Sequence, residues 1–313
     1  MKSNGGVRIV SLLPAATEIV AALGAGDLLV GITHECDFPR EVTGLPRVTT
    51  SAVDRDASSS AIDEAVRALS QVGGAVFALD SAELLRLAPT VIITQTLCDV
   101  CAVTDGDVRP LADVLEVPPR LVHMGGTTMA GVWDDIRAIG SAIGRSAEAD
   151  ALLRELDARL RRVHETLAAA RAPRPRVAVI EWLDPLYAAG HWTPELVRRA
   201  GGSDVLAEPG SHSMPIHVDA VREATPDVVL FAPCGFDVER AAREAAALLE
   251  TGDWAWAHGR RTWALDGNAL TSRPGPRLVD AVEAMAAIVA PSLFQAPAAS
   301  HALALGVGPV VTP

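Results

Sequence analysis

Two pairs of segments in this chain repeat each other in the same order. "EIVAALGAGDLLVG" at 18–31 matches "ELVRRAGGSDVLAE" at 195–208, each a short helix closed by glycine and followed by an apolar segment. "LLRLAPTVIIT" at 84–94 matches "VREATPDVVLF" at 221–231, each a helix that stops before Pro89 or Pro226 and gives way to a buried β-type run. A helix-then-strand grammar used twice predicts two similar α/β lobes. Strand-like runs "AVFAL" and "VIIT" in the first half, and "RVAVIEWL" and "VVLFA" in the second, alternate with helices. That alternation favours Rossmann-like lobes with mostly parallel sheets and helices on both faces. A length of 313 residues suits two lobes better than one.

Between the halves lies "SAEADALLRELDARLRRVHETLAAARAPRPR" at 146–176. Leu152, Leu153, Leu156, Leu160, Val163 and Leu167 recur at helical spacing, Ser146 can cap the start, and Pro173 and Pro175 end it. The spacing predicts one long helix. About 25 residues at 1.5 Å each span roughly 38 Å, enough for a rigid strut from lobe to lobe. An ordinary surface helix of one large domain is the alternative. The expected division is an N-terminal lobe at 7–145, a bridging helix at 146–172, a C-terminal lobe at 176–292 and a poorly ordered tail at 293–313, where Ala, Gly and Pro are abundant and no side chain is formally charged.

A net charge of -12 without a Lys/Arg block argues against nucleic acid or an anionic membrane surface as partner. Apolar stretches are interrupted well before the ~20 residues a membrane span needs, so no membrane insertion is expected. The opening "MKSNGGVRIVSLLPAATEIV" has a basic start before an apolar run, but Pro14 and Glu18 break it and no lipobox cysteine follows. It reads as a strand from Val7 to Ser11 entering a helix at Pro14. The expectation is a cytoplasmic protein whose cysteines stay reduced.

Ligands of open parallel sheets sit beyond the carboxyl ends of strands. All four cysteines fall in such loops: Cys36 in "THECDFP", Cys98 and Cys101 in "QTLCDVC", and Cys234 in "CGF". Cysteine used as a small hydrophobe belongs inside core elements instead. The C-x-x-C admits a redox dithiol, half of a zinc site, or a soft patch on a ligand pocket. No second C-x-x-C or C-x-x-H completes four ligands. Cys36, Cys98 and Cys101 with His34 would satisfy zinc or iron, while a half-buried or hydrogen-bonded side chain explains each one singly. Cys234, His191 and Trp192 should face them from the other lobe, making an inter-lobe cleft. Glu35 and Asp37 suggest acid/base work, or equally solvated loop carboxylates.

Six tryptophans stand against one tyrosine. Trp182 and Trp192 flank a strand-end loop and suit the walls of a large planar ligand; Trp254, Trp256 and Trp263 serve a core equally well. Arg273, in the stiff turn "TSRPGPR" before a helix, can clamp an anionic group or form a structural ion pair. No nucleophile elbow, phosphate loop or dinucleotide fingerprint is present, so no enzyme is expected.

With "RIVSLLPAATEIVAALGAGDLLVGITHECDFP", "LAPTVIITQTLCDVCAV", "AGHWTPELVRRAGG" and "DGNALTSRPGPRLVDAVEAMA", the chain resembles the helical-backbone substrate-binding proteins of ABC importers, nearest to their cobalamin-binding branch. The resemblance covers residues 7 to about 292. It implies a non-catalytic binding protein for cobalamin or a related corrinoid or metal chelate, with Pro14, Glu35, Cys36, Asp37, Gln95, Trp192 and Arg273 as contacts. Cys98, Trp182, His191 and Cys234 join them as cleft residues from their places in the strand-end loops. The expected role is a carrier, store or sensor, with an ABC importer or a corrinoid-using enzyme as partner. A zinc or iron protein, enzymatic on the same fold, is the alternative.

Overall fold

The computed structural model describes residues 6–96, 105–112, 115 and 117–306. The chain divides into two compact units, one from Met1–Gly126 and Ala130–Arg154, the other from Thr127–Met129 and Glu155–Pro313. In the first lie β1 (Ile9–Ser11), α1 (Pro14–Ala22), β2 (Leu29–Ile32), β3 (Thr49–Ser51), α2 (Ser59–Gln71), β4 (Phe77–Leu79), α3 (Ser81–Leu87), β5 (Val91–Gln95), α4 (Asp105–Ala112), β6 (Arg120–Met124) and α5 (Met129–Ala142). The helix α6 (Ser146–Ala169) follows, and the division between units falls within it. The second unit continues with β7 (Arg176–Leu183), β8 (Leu186–Ala188), α7 (Thr193–Arg199), β9 (Ser203–Asp204), β10 (Met214–Pro215), α8 (Val218–Glu223), β11 (Val228–Phe231), α9 (Val238–Leu249), β12 (Arg261–Leu265), α10 (Gly267–Leu270), α11 (Leu278–Val289) and β13 (Ala302–Gly306).

The first unit's main sheet runs β2-β1-β5-β6, every pair parallel. The second unit's sheet runs β10-β8-β7-β11-β12-β13, with β9 beside β7. Its centre, β7-β11-β12, is parallel, and its outer strands β8, β10 and β13 are antiparallel. Two departures from the sequence expectation stand out. The "AVFAL" run is no member of the parallel sheet: β4 pairs antiparallel with β3 in a separate ribbon. The segment expected as a poorly ordered tail supplies β13, which pairs with β12 from Thr262 to Leu265. An uncharged "ALALG" run can close a sheet edge whatever its flanking Ala/Pro content, because the ladder is made by backbone groups.

The repeated helix-then-strand segments are α3–β5 and α8–β11. Each helix ends in a left-handed residue directly before proline, Ala88 (φ 42) and Thr225 (φ 44). Proline's ring disfavours the α conformation in the residue before it, so the chain turns there and starts a strand. Caps set the other ends: Asp80, Asp237 and Asp266 accept from the backbone N–H groups of Glu83, Arg240 and Ala269. The central strands are buried on both faces, and alternate residues share one core. In the second unit Ala178 and Ile180 of β7 and Val229 and Phe231 of β11 share a core with Trp254, which is 1% exposed. In the first, Val10 and Leu12 pack with Ile92, Leu84 and Leu87. On α6 the buried stripe is Leu153, Leu156, Leu160 and Val163, the spacing of one helical face.

Candidate functional site

In the first unit the carboxyl edge is formed where β1, β2 and β5 end. Pro14 sits at the first position of α1, half-buried, where its missing N–H costs nothing. Below it Thr17 donates to the Ser11 hydroxyl at 2.8 Å, and its oxygen lies 3.0 Å from the Cys36 sulfur. Cys36 is 2% exposed, so its thiol belongs to the packing under α1 and not to an open surface. Arg47 fixes the loop, donating to the Thr33 and Cys36 carbonyls at 2.8 and 2.7 Å.

His34 turns the other way. Its Nδ1 is 2.7 Å from the Thr49 hydroxyl and its ring stacks obliquely on Phe77 at 5.4 Å. Burial, then the charges of Arg55 and Arg47, lower its pKa. The imidazole is therefore neutral at neutral pH. Cys98 and Cys101, the other half of the expected metal set, lie outside the described residues. Among the described residues no group of three His, Cys, Asp or Glu side chains is arranged to hold a metal ion. Gln95 closes β5 half-buried, Glu35 is half-buried and Asp37 is exposed.

The edge ends at a loop the sequence reading passed over. Asp135 of α5 accepts from the Gly125 and Gly126 backbone N–H groups, the latter at 2.9 Å. Burial raises its pKa, and those two hydrogen bonds oppose the rise.

In the second unit β7, β11 and β12 end on one edge. Trp182 is half-buried and meets Phe236 edge to face at 5.4 Å. Cys234 is exposed; its backbone N–H donates to the Glu181 carbonyl at 3.0 Å, which sets the thiol's residue beside the end of β7. The turn is rigid. Gly235 is left-handed (φ 77) and donates to the Ser272 hydroxyl at 3.3 Å, and a Cβ on Gly267 would overlap the Pro233 carbonyl oxygen. His191, also left-handed (φ 53), is half-buried; its ring lies 5.4 Å from His212 and 5.7 Å from Trp192. Burial, then the His212 charge, lowers its pKa, so its neutral form is available as a ligand.

Two of the expected contacts are buried and hydrogen-bonded within the second unit. Trp192 is 8% exposed and spends its indole N–H on the Thr271 carbonyl at 2.8 Å. Arg273 is 4% exposed and donates to Asn268 Oδ1 at 2.8 Å. Both tie down the segment at 268–271, because an indole N–H or guanidinium turned inward must find a backbone or amide partner. Trp254 joins the core against Phe231 at 5.4 Å.

Sequence reasoning missed Glu181, whose carboxylate accepts from Ser213 and the Gly190 N–H and whose pKa burial raises. An acidic residue inside "VAVIEWL" was its signal. It also missed His212 and Asp266; burial raises the Asp266 pKa as it caps α10.

No described helix is long and apolar enough to cross a membrane. The chain is 23% identical over 276 residues to the vitamin B12-binding protein of Vibrio cholerae, covering 88% of this chain and 86% of that protein. It is 24% identical over 295 residues to the ABC transporter substrate-binding lipoprotein YvrC of Bacillus subtilis, covering 92% and 81%. Among solved structures it resembles a periplasmic heme-binding protein from Pseudomonas aeruginosa, with a TM-score of 0.71, 22% identity, and 96% and 99% of the two chains covered. Residues 9–255 match the periplasmic binding protein family, and the α/β units with one helix running through their division are the helical-backbone form of it: this chain belongs to the periplasmic binding protein family.

Proposed function

We propose that the chain is a non-catalytic carrier of a corrinoid or a related metal chelate of the haem type, exchanged with an ABC importer or a corrinoid-using enzyme. The observation that carries the reading is in the second unit, where an exposed thiol, Cys234, stands at the end of β11 next to Trp182 at the end of β7. A soft sulfur suits a soft metal centre, and an indole suits the flat face of a macrocycle. The vitamin B12-binding and heme-binding names of its relatives support the same ligand class. An absorbance titration of the reduced protein with hydroxocobalamin, run beside one with hemin, tests it. One of the two should give a one-to-one shift of its visible bands. Cys234→Ser or His191→Ala should remove the component of that shift due to axial ligation while leaving binding within about tenfold. Two flat titrations would discard the reading.

An exposed thiol keeps this chemistry only where it stays reduced, and we infer a cytoplasmic site of action. A membrane-impermeant maleimide should then label Cys234 in lysates and not in intact cells; labelling of intact cells overturns it.

A further inference from the structure

Within the second unit, the C-terminal ends of α6 and α7 border a half-open surface pocket of about 460 Å3 whose four arginines are all exposed, a volume inside the range of small-molecule sites. Leu160 and Leu167 give it apolar surface, while Arg171, Arg174, Arg198 and Arg199 line it, with no carboxylate among the described residues that line it. In a chain of net charge -12 this is a local reversal of sign.

Among the described residues the charges do not cancel. Arg199 is held on Glu195 Oε1 at 2.9 and 2.8 Å, and Arg198 lies 3.8 Å from the same oxygen. Glu195 is buried, and its other oxygen accepts from the Met129 N–H at 3.1 Å. Arg174 donates to the Arg198 and Gly202 carbonyls at 3.2 and 2.7 Å, which positions its guanidinium and neutralises nothing. The negative ends of two helices supply together about one elementary charge. Four cations against one carboxylate and about one charge of helix dipole leave a surplus of about two.

Arg171 sharpens the argument. It follows α6 in the left-handed region (φ 48), where its N–H donates to the Ala168 carbonyl and that of Ala172 to the Leu167 carbonyl. This helix-ending turn favours glycine. A residue with a Cβ there works against stability, and Pro173 and Pro175 restrict the segment that carries Arg171 and Arg174.

We propose that this pocket binds a small polyanion carrying at least two phosphate or carboxylate groups, gripped by guanidinium forks that match both groups. Calorimetric and thermal-melt titrations of the full chain at low ionic strength test it, using inorganic pyrophosphate, orthophosphate and citrate, with sodium chloride at matched ionic strength as reference. Pyrophosphate or citrate should bind one-to-one and raise the melting temperature, and the stronger of the two names the group. Arg171→Gly should melt higher than the parent without ligand yet bind at least tenfold more weakly. Ala168→Glu, which sets a carboxylate in the wall, should weaken binding by at least as much. Responses no larger than chloride's, or unchanged binding in both variants, would overturn the site.

Discussion

Replacing Gly190 by alanine should destabilise the second unit by about 3 kcal/mol, the upper end of what overpacking costs. A Cβ at this position would lie 2.6 Å from the Ser211 carbonyl oxygen and 2.5 Å from the His212 carbonyl carbon, and closer still to the Ser213 nitrogen. All three are backbone atoms, so no side-chain rotation relieves the overlap. The strand β10 and the 211–213 segment must move away from β8. That movement also breaks the hydrogen bonds that shape the site. Glu181 accepts from Gly190 and Ser213 together, the His191 N–H donates to the Ser211 carbonyl, and Gly210 donates to the His191 carbonyl at 2.8 Å. Denaturant unfolding followed by tryptophan fluorescence measures the effect, and five of the six tryptophans, all but Trp133, lie in the second unit. Gly252→Ala is the control, because nothing stands within 4 Å of its Cβ and its φ is not positive. It should be neutral or stabilising by about 0.5 kcal/mol. Equal stability of the two variants would show that the 190–213 contact does not hold the site together.

The same contrast explains what the sequence made legible. The α/β class was readable because Pro89 and Pro226 punctuate two matching segments, and proline acts on its neighbour wherever the rest of the chain goes. The long helix was readable because Leu153, Leu156, Leu160 and Val163 keep one face buried along it. Sheet membership was not. "AVFAL" and "ALALG" carry the right composition for strands, yet one joins an antiparallel ribbon with β3 and the other closes the edge of the second sheet. Pairing partners are set by tertiary packing, which periodicity within one segment does not encode.

For the candidate site, placement in the chain was informative and orientation was not. The strand-end rule placed Cys36 and Cys234 in loops just past strands, and they follow β2 and β11; Trp182 lies within β7, and His191 and Trp192 follow β8, which runs antiparallel to β7. It could not say which way each side chain turns. Cys36 turns under α1 onto Thr17, and Trp192 turns in to the Thr271 carbonyl, while Cys234 stays exposed. The difference lies in partners supplied from elsewhere in the chain: Thr17 is 19 residues from Cys36, and Thr271 is 79 from Trp192. Glu181 went unseen for the converse reason. A lone acid in an apolar strand gives no hint of its partners Gly190 and Ser213, which become its neighbours only when β7 and β8 form their hairpin and β10 joins it.

The largest pH effect on stability should come from Asp204, at the end of β9. Its Oδ1 accepts from the Leu206 and Ala207 N–H groups at 2.8 and 3.1 Å, while its Oδ2 is buried and finds no hydrogen-bond partner among the described residues. Burial pushes its pKa up from 3.8 to about 6, against those two hydrogen bonds and with help from the Glu208 charge. The folded protein therefore holds this proton at pH values where the unfolded chain has released it. Between about pH 4 and pH 6 the native state binds more protons, so stability falls as pH rises through that window and levels off above it. The rise corresponds to an upper bound of about 3 kcal/mol. Asp204→Asn retains the Oδ1 acceptor and removes the charge. Its stability should match the parent's near pH 4 and exceed it by up to about 3 kcal/mol at pH 7.5. Glu181, Asp135 and Asp266 are also raised by burial, and they tilt both proteins' curves in the same sense. The difference between the two denaturation-against-pH curves isolates Asp204, and parallel curves would show that its carboxyl is solvated in the native state. The loop it caps leads through Gly210 to His191, so the variant should also hold that histidine's backbone more firmly. A higher protection factor for the Gly210 amide in the variant than in the parent at pH 7.5, with no difference near pH 4, measures that link.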